Sequence, residues 1–197
     1  MTKLKRRVQS WMAAEAGAAH KLGLTPNHVS AVGIMLAMAS GFAYWLSGGD
    51  RVLLTVAPLL LLASGFCDAL DGVLARLYGE ATTFGGFLDS LLDRYADAAI
   101  YCGLILGGLC DLTWGLIALV GSILVSYTRA RAEAAGVPME TVGLVERAER
   151  LLIIVCASFI NLFWPEALRW SIIILAVLTH ITVLQRVIHF RGRLSSK

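Results

Sequence analysis

Apolar residues recur in six long runs, separated by short breaks rich in glycine, proline or aspartate. The runs lie at residues 29–46, 52–74, 84–109, 112–130, 151–164 and 168–187. Each reads as one continuous helical segment, and five have the length a bilayer core of about 30 Å requires. The fifth is short unless its helix continues back into the charged stretch 146–150, which predicts basic first turns facing a polar cavity. The breaks fall at Gly48-Gly49-Asp50, Gly107-Gly108 with Asp111, Gly136-Val137-Pro138 and Trp164-Pro165, where helices end readily. The pattern predicts an all-α integral membrane protein with six transmembrane helices. Residues 1–22 precede the first run and carry Lys3, Lys5, Arg6, Arg7 and Lys21, with Leu4, Val8, Trp11 and Met12 on one side. They read as an amphipathic helix at the interface, or as basic flanking charge, and the two are compatible. The organisation expected is a juxtamembrane helix, 1–22, followed by a membrane domain, 23–197.

Composition agrees. Hydrophobic residues make up 57% of the 197 and charged residues only 16%, where soluble domains carry about 25%. Mean hydropathy is +0.72. A soluble domain is excluded, and the mixed, alanine-rich stretch after Arg7 predicts no cleavable leader. Of 17 lysines and arginines, only Arg51 and Arg169 fall in the loops after runs one and five. The positive-inside rule then places both termini on the cytosolic side of the cell membrane.

Four aspartates break the apolar pattern in a strict spacing: Asp68, Asp71, Asp89 and Asp93. Carboxylates at membrane depth cost roughly 2.5–3.5 kcal/mol each on insertion scales, so a cluster needs compensating charge. Positions 68 and 71 share a helical face at i,i+3, and 89 and 93 share one at i,i+4. Two such helices side by side aim four carboxylates into one pocket. Four negative charges balance two divalent cations, and oxygen-only ligands favour Mg²⁺ or Mn²⁺ over zinc.

With Gly72, Ala75, Arg76 and Gly85, these residues spell D-x2-D-G-x2-A-R-x8-G-x3-D-x3-D. This matches the signature of the CDP-alcohol phosphotransferase family, membrane enzymes of phospholipid synthesis. The resemblance runs from Leu24-Thr25-Pro26-Asn27 to Gln185-Arg186. It implies that Asp68, Asp71 and Asp89 are metal ligands and that Asp93, beside the metals, is the general base. Asp71, Gly72, Ala75, Arg76 and Gly85 would meet the nucleotide. A glycine next to a ligand removes a side chain where substrate approaches, and an arginine one turn on suits phosphate. Gly85 has helix packing as its plainer explanation. The implied reaction is attack of an alcohol on the lipid-bearing phosphorus of CDP-diacylglycerol or CDP-archaeol, releasing CMP.

A second constellation bears on the alcohol: Ser126-Tyr127-Thr128-Arg129-Ala130-Arg131-Ala132-Glu133, then Glu146-Arg147-Ala148-Glu149-Arg150, then Arg186. Arg147 and Arg150 share a face, and Glu146 is placed to pair with Arg150 at i,i+4. Arginine is the preferred bidentate phosphate ligand. Arg129, Arg131, Arg147, Arg150 and Arg186 are therefore candidates for an acceptor phosphate, with membrane-end anchoring as the alternative. The set resembles the subgroup that joins inositol 1-phosphate to a CDP-activated lipid. Glycerol 3-phosphate as acceptor, or CDP-inositol as donor, stay open. An ion-coupled transporter leaves the Gly72/Ala75/Arg76 spacing unexplained.

Cys67, Cys102, Cys110 and Cys156 lack metal-ligand spacing and read as buried, inert thiols. His180 reads as a packed polar residue. Gly103-x3-Gly107 permits close helix approach without establishing a dimer; a homodimer is the expected assembly, and no nucleic-acid partner is expected.

Overall fold

The computed structural model describes residues 3–139 and 142–195, with side chains from Met12 to Leu194 outside that gap. Among the described residues it is all-α, with seven helices: α1 (Lys3–Lys21), α2 (Pro26–Ser47), α3 (Arg51–Leu77), α4 (Thr83–Leu106), α5 (Leu112–Ala134), α6 (Arg147–Asn161) and α7 (Ala167–Ser195). Each apolar run maps onto one helix from α2 to α7. Helix α6 does begin in the charged stretch, at Arg147. The basic and apolar residues 3–11 that suggested an amphipathic α1 lie outside the residues whose side chains are described.

Helices α2, α3, α5 and α7 are long and apolar enough to cross a membrane by length and composition. Helices α4 and α6 fall short, for a local reason. Helix α4 carries Asp89, Asp93, Arg94 and Asp97, and α6 has 15 residues opening on Arg147, Glu149 and Arg150. The residues that lower their hydropathy are the ones gathered in the site described below.

Boundaries follow local chemistry. Pro26 opens α2, and Thr25 caps it in a capping box with His28. The α2–α3 turn runs through Gly48 and Gly49, at φ 45° and 94°, a region open to glycine at no steric cost. Asp50 then accepts from the Val52 amide at 2.7 Å and starts α3. Thr82 does the same for α4, accepting from Gly85 N at 2.9 Å.

Helix α2 lies along both α3 and α4, while α6 bridges α3 to α7 and α5 packs on α7 and α4. The core between them holds Tyr44, Leu61, Ile100, Leu104, Ile154, Leu168 and Ile172. Hydroxyls tie helices together inside it: Tyr44 to Ser158 at 2.7 Å, Ser64 to the Gly33 carbonyl at 2.8 Å and Ser122 to Tyr101 at 3.0 Å. Such bonds hold helices where hydrophobic contrast with lipid cannot. Large apolar residues such as Met35, Phe42, Leu62, Leu116 and Ile174 face outward, as a bilayer requires.

The Gly103–Gly107 pair is committed within the chain. A Cβ on Gly103 would strike the Gly41 backbone, and one on Gly107 the Tyr44 carbonyl, so the pair lets α4 lie directly on α2. It therefore gives no support to a contact between two copies. The cysteines also differ from expectation. Cys102 and Cys156 are exposed, while Cys67 and Cys110 are half-buried and pack against the core.

Candidate active site

The end of α3 and the start of α4 lie side by side, and this brings the spaced aspartates together. Carboxylate oxygens of Asp68, Asp89 and Asp93 all lie within 4.8 Å of one another. Asp71 lines the same cavity beside them and accepts from the Ser30 hydroxyl of α2. The donor set is oxygen only, three carboxylates from two helices with a fourth alongside, which fits hard divalent cations such as Mg²⁺ or Mn²⁺.

Two cavities meet at these carboxylates. The inner one, about 260 Å³, is bounded by Ser30, Gly33, Ser64, Asp68, Asp71, Asp89, Asp93 and Arg147. The outer one, about 570 Å³, is lined by Pro26, Asn27, Gly72, Ala75, Arg76, Glu80, Thr82 and Gly85, and shares Ser30, Asp71 and Asp89 with the first. Gly72 lies under the Arg76 side chain, where a Cβ would come within 3.3 Å of Arg76 Nη1. Arg76 itself is exposed and free to turn over the pocket. A Cβ on Gly85 would lie 3.0 Å from Thr82 Oγ1 and 3.7 Å from Asn27 Oδ1, so Gly85 serves the local packing as well as lining the pocket.

The five arginines fall into two groups, Arg147 and Arg150 on the aspartates and Arg129, Arg131 and Arg186 around Glu146 and a neighbouring cavity. Arg147 enters the carboxylate cluster: its Nη1 donates to Asp68 Oδ2 at 2.7 Å and lies 2.9 Å from Asp93 Oδ1. Arg150, almost fully buried, donates to Asp97 Oδ2 at 2.9 Å. Arg186, also buried, donates to the carbonyls of Val142 and Val125 and so clamps the chain before α6 to the end of α5. Arg129 pairs with Glu133 at 2.9 Å on the surface of α5. Arg131 lines a separate cavity of about 660 Å³ with Tyr127, Met139, Arg186 and Phe190.

The expected Glu146–Arg150 pair is replaced. Glu146 is the residue before α6, and its carboxylate faces Arg186 at 3.8 Å and Arg129 at 4.0 Å. Arg150 lies one turn further and points inward, where only Asp97 on α4 can neutralise it. His180 is the packed residue expected, its Nδ1 2.9 Å from the Ala176 carbonyl.

Two residues of this neighbourhood escaped the sequence pattern. Asp97, 4% exposed, continues the stripe of Asp89 and Asp93 by one more i,i+4 step, and that continuation was the available signal. Ser30 had none, since a serine in an apolar helix is ordinary.

Residues 23–182 match the family model described as CDP-alcohol phosphatidyltransferase. The archaetidylinositol phosphate synthase of Pyrococcus horikoshii is 37% identical over 194 residues, covering 98% of each chain. The phosphatidylinositol phosphate synthase of Mycobacterium tuberculosis is 36% identical over 191 residues, covering 84% of this chain and 79% of that one. Among solved structures, the M. tuberculosis phosphatidylinositol phosphate synthase with CDP-DAG bound superposes with a TM-score of 0.80 at 32% identity, covering 91% and 92% of the two chains. The same enzyme in complex with manganese and citrate gives 0.79, covering 91% and 88%. The seven-helix fold is thus that of a multi-pass membrane enzyme, and the chain belongs to the CDP-alcohol phosphatidyltransferase family.

Proposed function

We propose that this chain transfers the phosphatidyl or archaetidyl group of a CDP-activated lipid to inositol 1-phosphate, releasing CMP. One observation carries the reading most directly. The Asp68, Asp89 and Asp93 carboxylates stand where an open cavity edged by Arg76 meets a smaller one edged by Arg147. A donor pyrophosphate and an acceptor hydroxyl have to meet at such a junction. The synthase names of the relatives, and the CDP-DAG in one of the matching structures, support the choice of donor and acceptor.

Asp68, Asp71, Asp89 and Asp93 would hold Mg²⁺ or Mn²⁺, one ion or two. When bound, the metal supplies a Lewis acid at the pyrophosphate and stabilises the departing phosphate. The remaining roles fall to the chain. Gly72 and Ala75 leave room for the nucleotide against α3, and Arg76 turns to its phosphates. Asp93 accepts the proton of the acceptor hydroxyl as its oxygen bonds to the lipid-bearing phosphorus. The bond from that phosphorus to the CMP oxygen breaks, leaving a phosphodiester lipid. Arg129, Arg131, Arg147, Arg150 and Arg186 form the basic side that favours an acceptor already carrying a phosphate. Arg147 is placed nearest the reacting centre, and Arg150 and Arg186 hold the surrounding backbone and carboxylate in position.

All six helices α2 to α7 cross the membrane in this reading, with both termini and the site at the cytosolic face. Residues 1–22 form a juxtamembrane helix and 23–197 the catalytic domain. Ala16 of α1 is fully buried against Leu70, Leu74 and Val29, so α1 docks on the α3 end that carries the site.

The test is a CMP-release panel on purified protein. CDP-archaeol and CDP-diacylglycerol are each offered with inositol 1-phosphate, glycerol 3-phosphate, free inositol and serine. The reading expects inositol 1-phosphate to be used in preference to the others. Preference for glycerol 3-phosphate would transfer the assignment to that acceptor, and absence of CMP release with every pair would overturn it.

A further inference from the structure

Asp97 lies outside the eight-position signature, yet it is the most deeply buried aspartate of the cluster, at 4% exposed against 7% for Asp71. A buried carboxylate persists only where it is paired, since the desolvation cost of an isolated one is several kcal/mol. Its two oxygens are divided between two arginines of α6. Oδ2 receives Arg150 Nη2 at 2.9 Å, and Oδ1 faces Arg147 Nε at 3.5 Å. Arg147 and Arg150 are one helical turn apart, so a single carboxylate spans both.

The same Arg147 guanidinium reaches Asp68 and Asp93 through Nη1. It therefore lies between two demands: the carboxylates that suit a divalent cation, and Asp97 behind it. A cation at Asp68 and Asp93 and a guanidinium on the same oxygens compete for the same lone pairs, and repel each other at close range. Arginine presents its donors on separate edges of a planar fork and so meets partners on two sides, whereas the three donors of lysine radiate from a single nitrogen.

We infer that Asp97 is a positioning residue. Its charge attracts Arg147 across the 3.5 Å between Oδ1 and Nε, an ion pair without a hydrogen bond, and half neutralises it, so that Asp68 and Asp93 remain available to a divalent cation while Arg147 stays at the wall of the site. Without that charge, Arg147 is balanced by the metal-site carboxylates alone, Asp68 and Asp93 in contact and Asp89 close by, and takes them from the metal. The inference rests on the metal-dependent reading above.

Mn²⁺ binding to the full-length protein in detergent, followed by the loss of the free-ion electron paramagnetic resonance signal, tests it without any turnover. Asp97→Asn keeps the side-chain shape and an acceptor for Arg150, and its apparent Kd for Mn²⁺ is expected to rise about tenfold, the equivalent of about 1.4 kcal/mol. Adding Arg147→Ala to Asp97→Asn is expected to return the Kd to within about threefold of wild type. Adding Arg150→Met instead removes the same charge from a residue that does not touch Asp68 or Asp93, and should leave binding weak. Equal rescue by both would make the effect one of bulk charge and overturn the inference. So would failure of Arg147→Ala to rescue, as expected if Asp97 served stability alone.

Arg147→Lys gives an independent reading should Asp97→Asn not fold. It retains the charge but has no Nε edge for Asp97, and is expected to weaken Mn²⁺ to a similar degree. Unchanged affinity in this variant would also overturn the inference. Wild-type protein that binds no Mn²⁺ would overturn the metal reading and this inference together, whereas normal binding in Asp97→Asn removes the inference alone.

Discussion

Two arginines in this molecule each hold two acids within about 3.2 Å across helices or loops, and they show what burial does to similar distances. Arg169, at the start of α7, donates to Asp111 at 2.8 Å and to Glu166 at 3.2 Å, with its side chain 50% exposed. Arg147, at the start of α6, reaches Asp68 at 2.7 Å and Asp93 at 2.9 Å, with its side chain 18% exposed. Behind it, Arg150 and Asp97 are 2% and 5% exposed. On geometry alone the two networks are equivalent. Water reaches the first and screens it, so its members are replaceable. In the second each charge depends on its neighbour, and removing one strands another in a low-dielectric interior. The first network joins a loop to a helix end on the face opposite the site. The second is bound up with the chemistry.

The largest expected effect is removal of divalent metal. Excess chelator should abolish CMP release, with Mg²⁺ or Mn²⁺ restoring it and Zn²⁺ restoring it poorly, because the site offers hard oxygen donors. Full activity in chelator would mean that the buried network works without a cation.

Next comes Asp93→Asn. Turnover should fall by at least ~10²-fold, the usual minimum for loss of a positioned base, while binding of CDP-lipid stays measurable. Normal turnover would remove Asp93 from its proposed role.

Arg150→Ala should then lower stability by up to about 3–5 kcal/mol, since it leaves buried Asp97 with only the 3.5 Å contact to Arg147. Denaturation of the detergent-purified variant measures this, and a cost near zero would erase the distinction between the two networks.

Arg147→Ala should raise KM for inositol 1-phosphate by about one to two decades, corresponding to roughly 1.5–3 kcal/mol for a charge-assisted phosphate contact. KM for the CDP-lipid should move far less. Equal changes in both would place Arg147 with the metal site alone.

The smallest effect belongs to Arg169→Ala. Neither thermal midpoint nor kcat/KM should change measurably, and a loss matching that of Arg150→Ala would show that exposure is the wrong criterion.

Much of this was visible along the chain. Helical spacing placed Asp68 with Asp71 and Asp89 with Asp93 on shared faces, and the glycine, proline and aspartate breaks put the turns where the helices end. The run at 151–164 was too short to span, and its helix does begin in the charged residues before it, at Arg147, but ends at Asn161 with 15 residues. Other features were not visible. Glu146 and Arg150 have a spacing that suits a pair, yet Arg150 turns to Asp97, 53 residues away in sequence. Gly103-x3-Gly107 has the form of a contact between chains and is used against α2 of its own. Both outcomes depend on which face of a helix is turned inward, which spacing within one helix does not specify.

The sequence by itself therefore determined the membrane class, the helical segments and the composition of the carboxylate set, because hydropathy and the 3.6-residue period are local properties. Only the tertiary structure decided how the five arginines are divided. Arg147 lies at the carboxylates, Arg150 on Asp97, Arg186 on two carbonyls, Arg129 on the surface, and Arg131 in a separate cavity that it shares with Arg186. A long cationic side chain within reach of several partners goes to the one that shares its burial, and burial is set by how helices far apart in sequence pack.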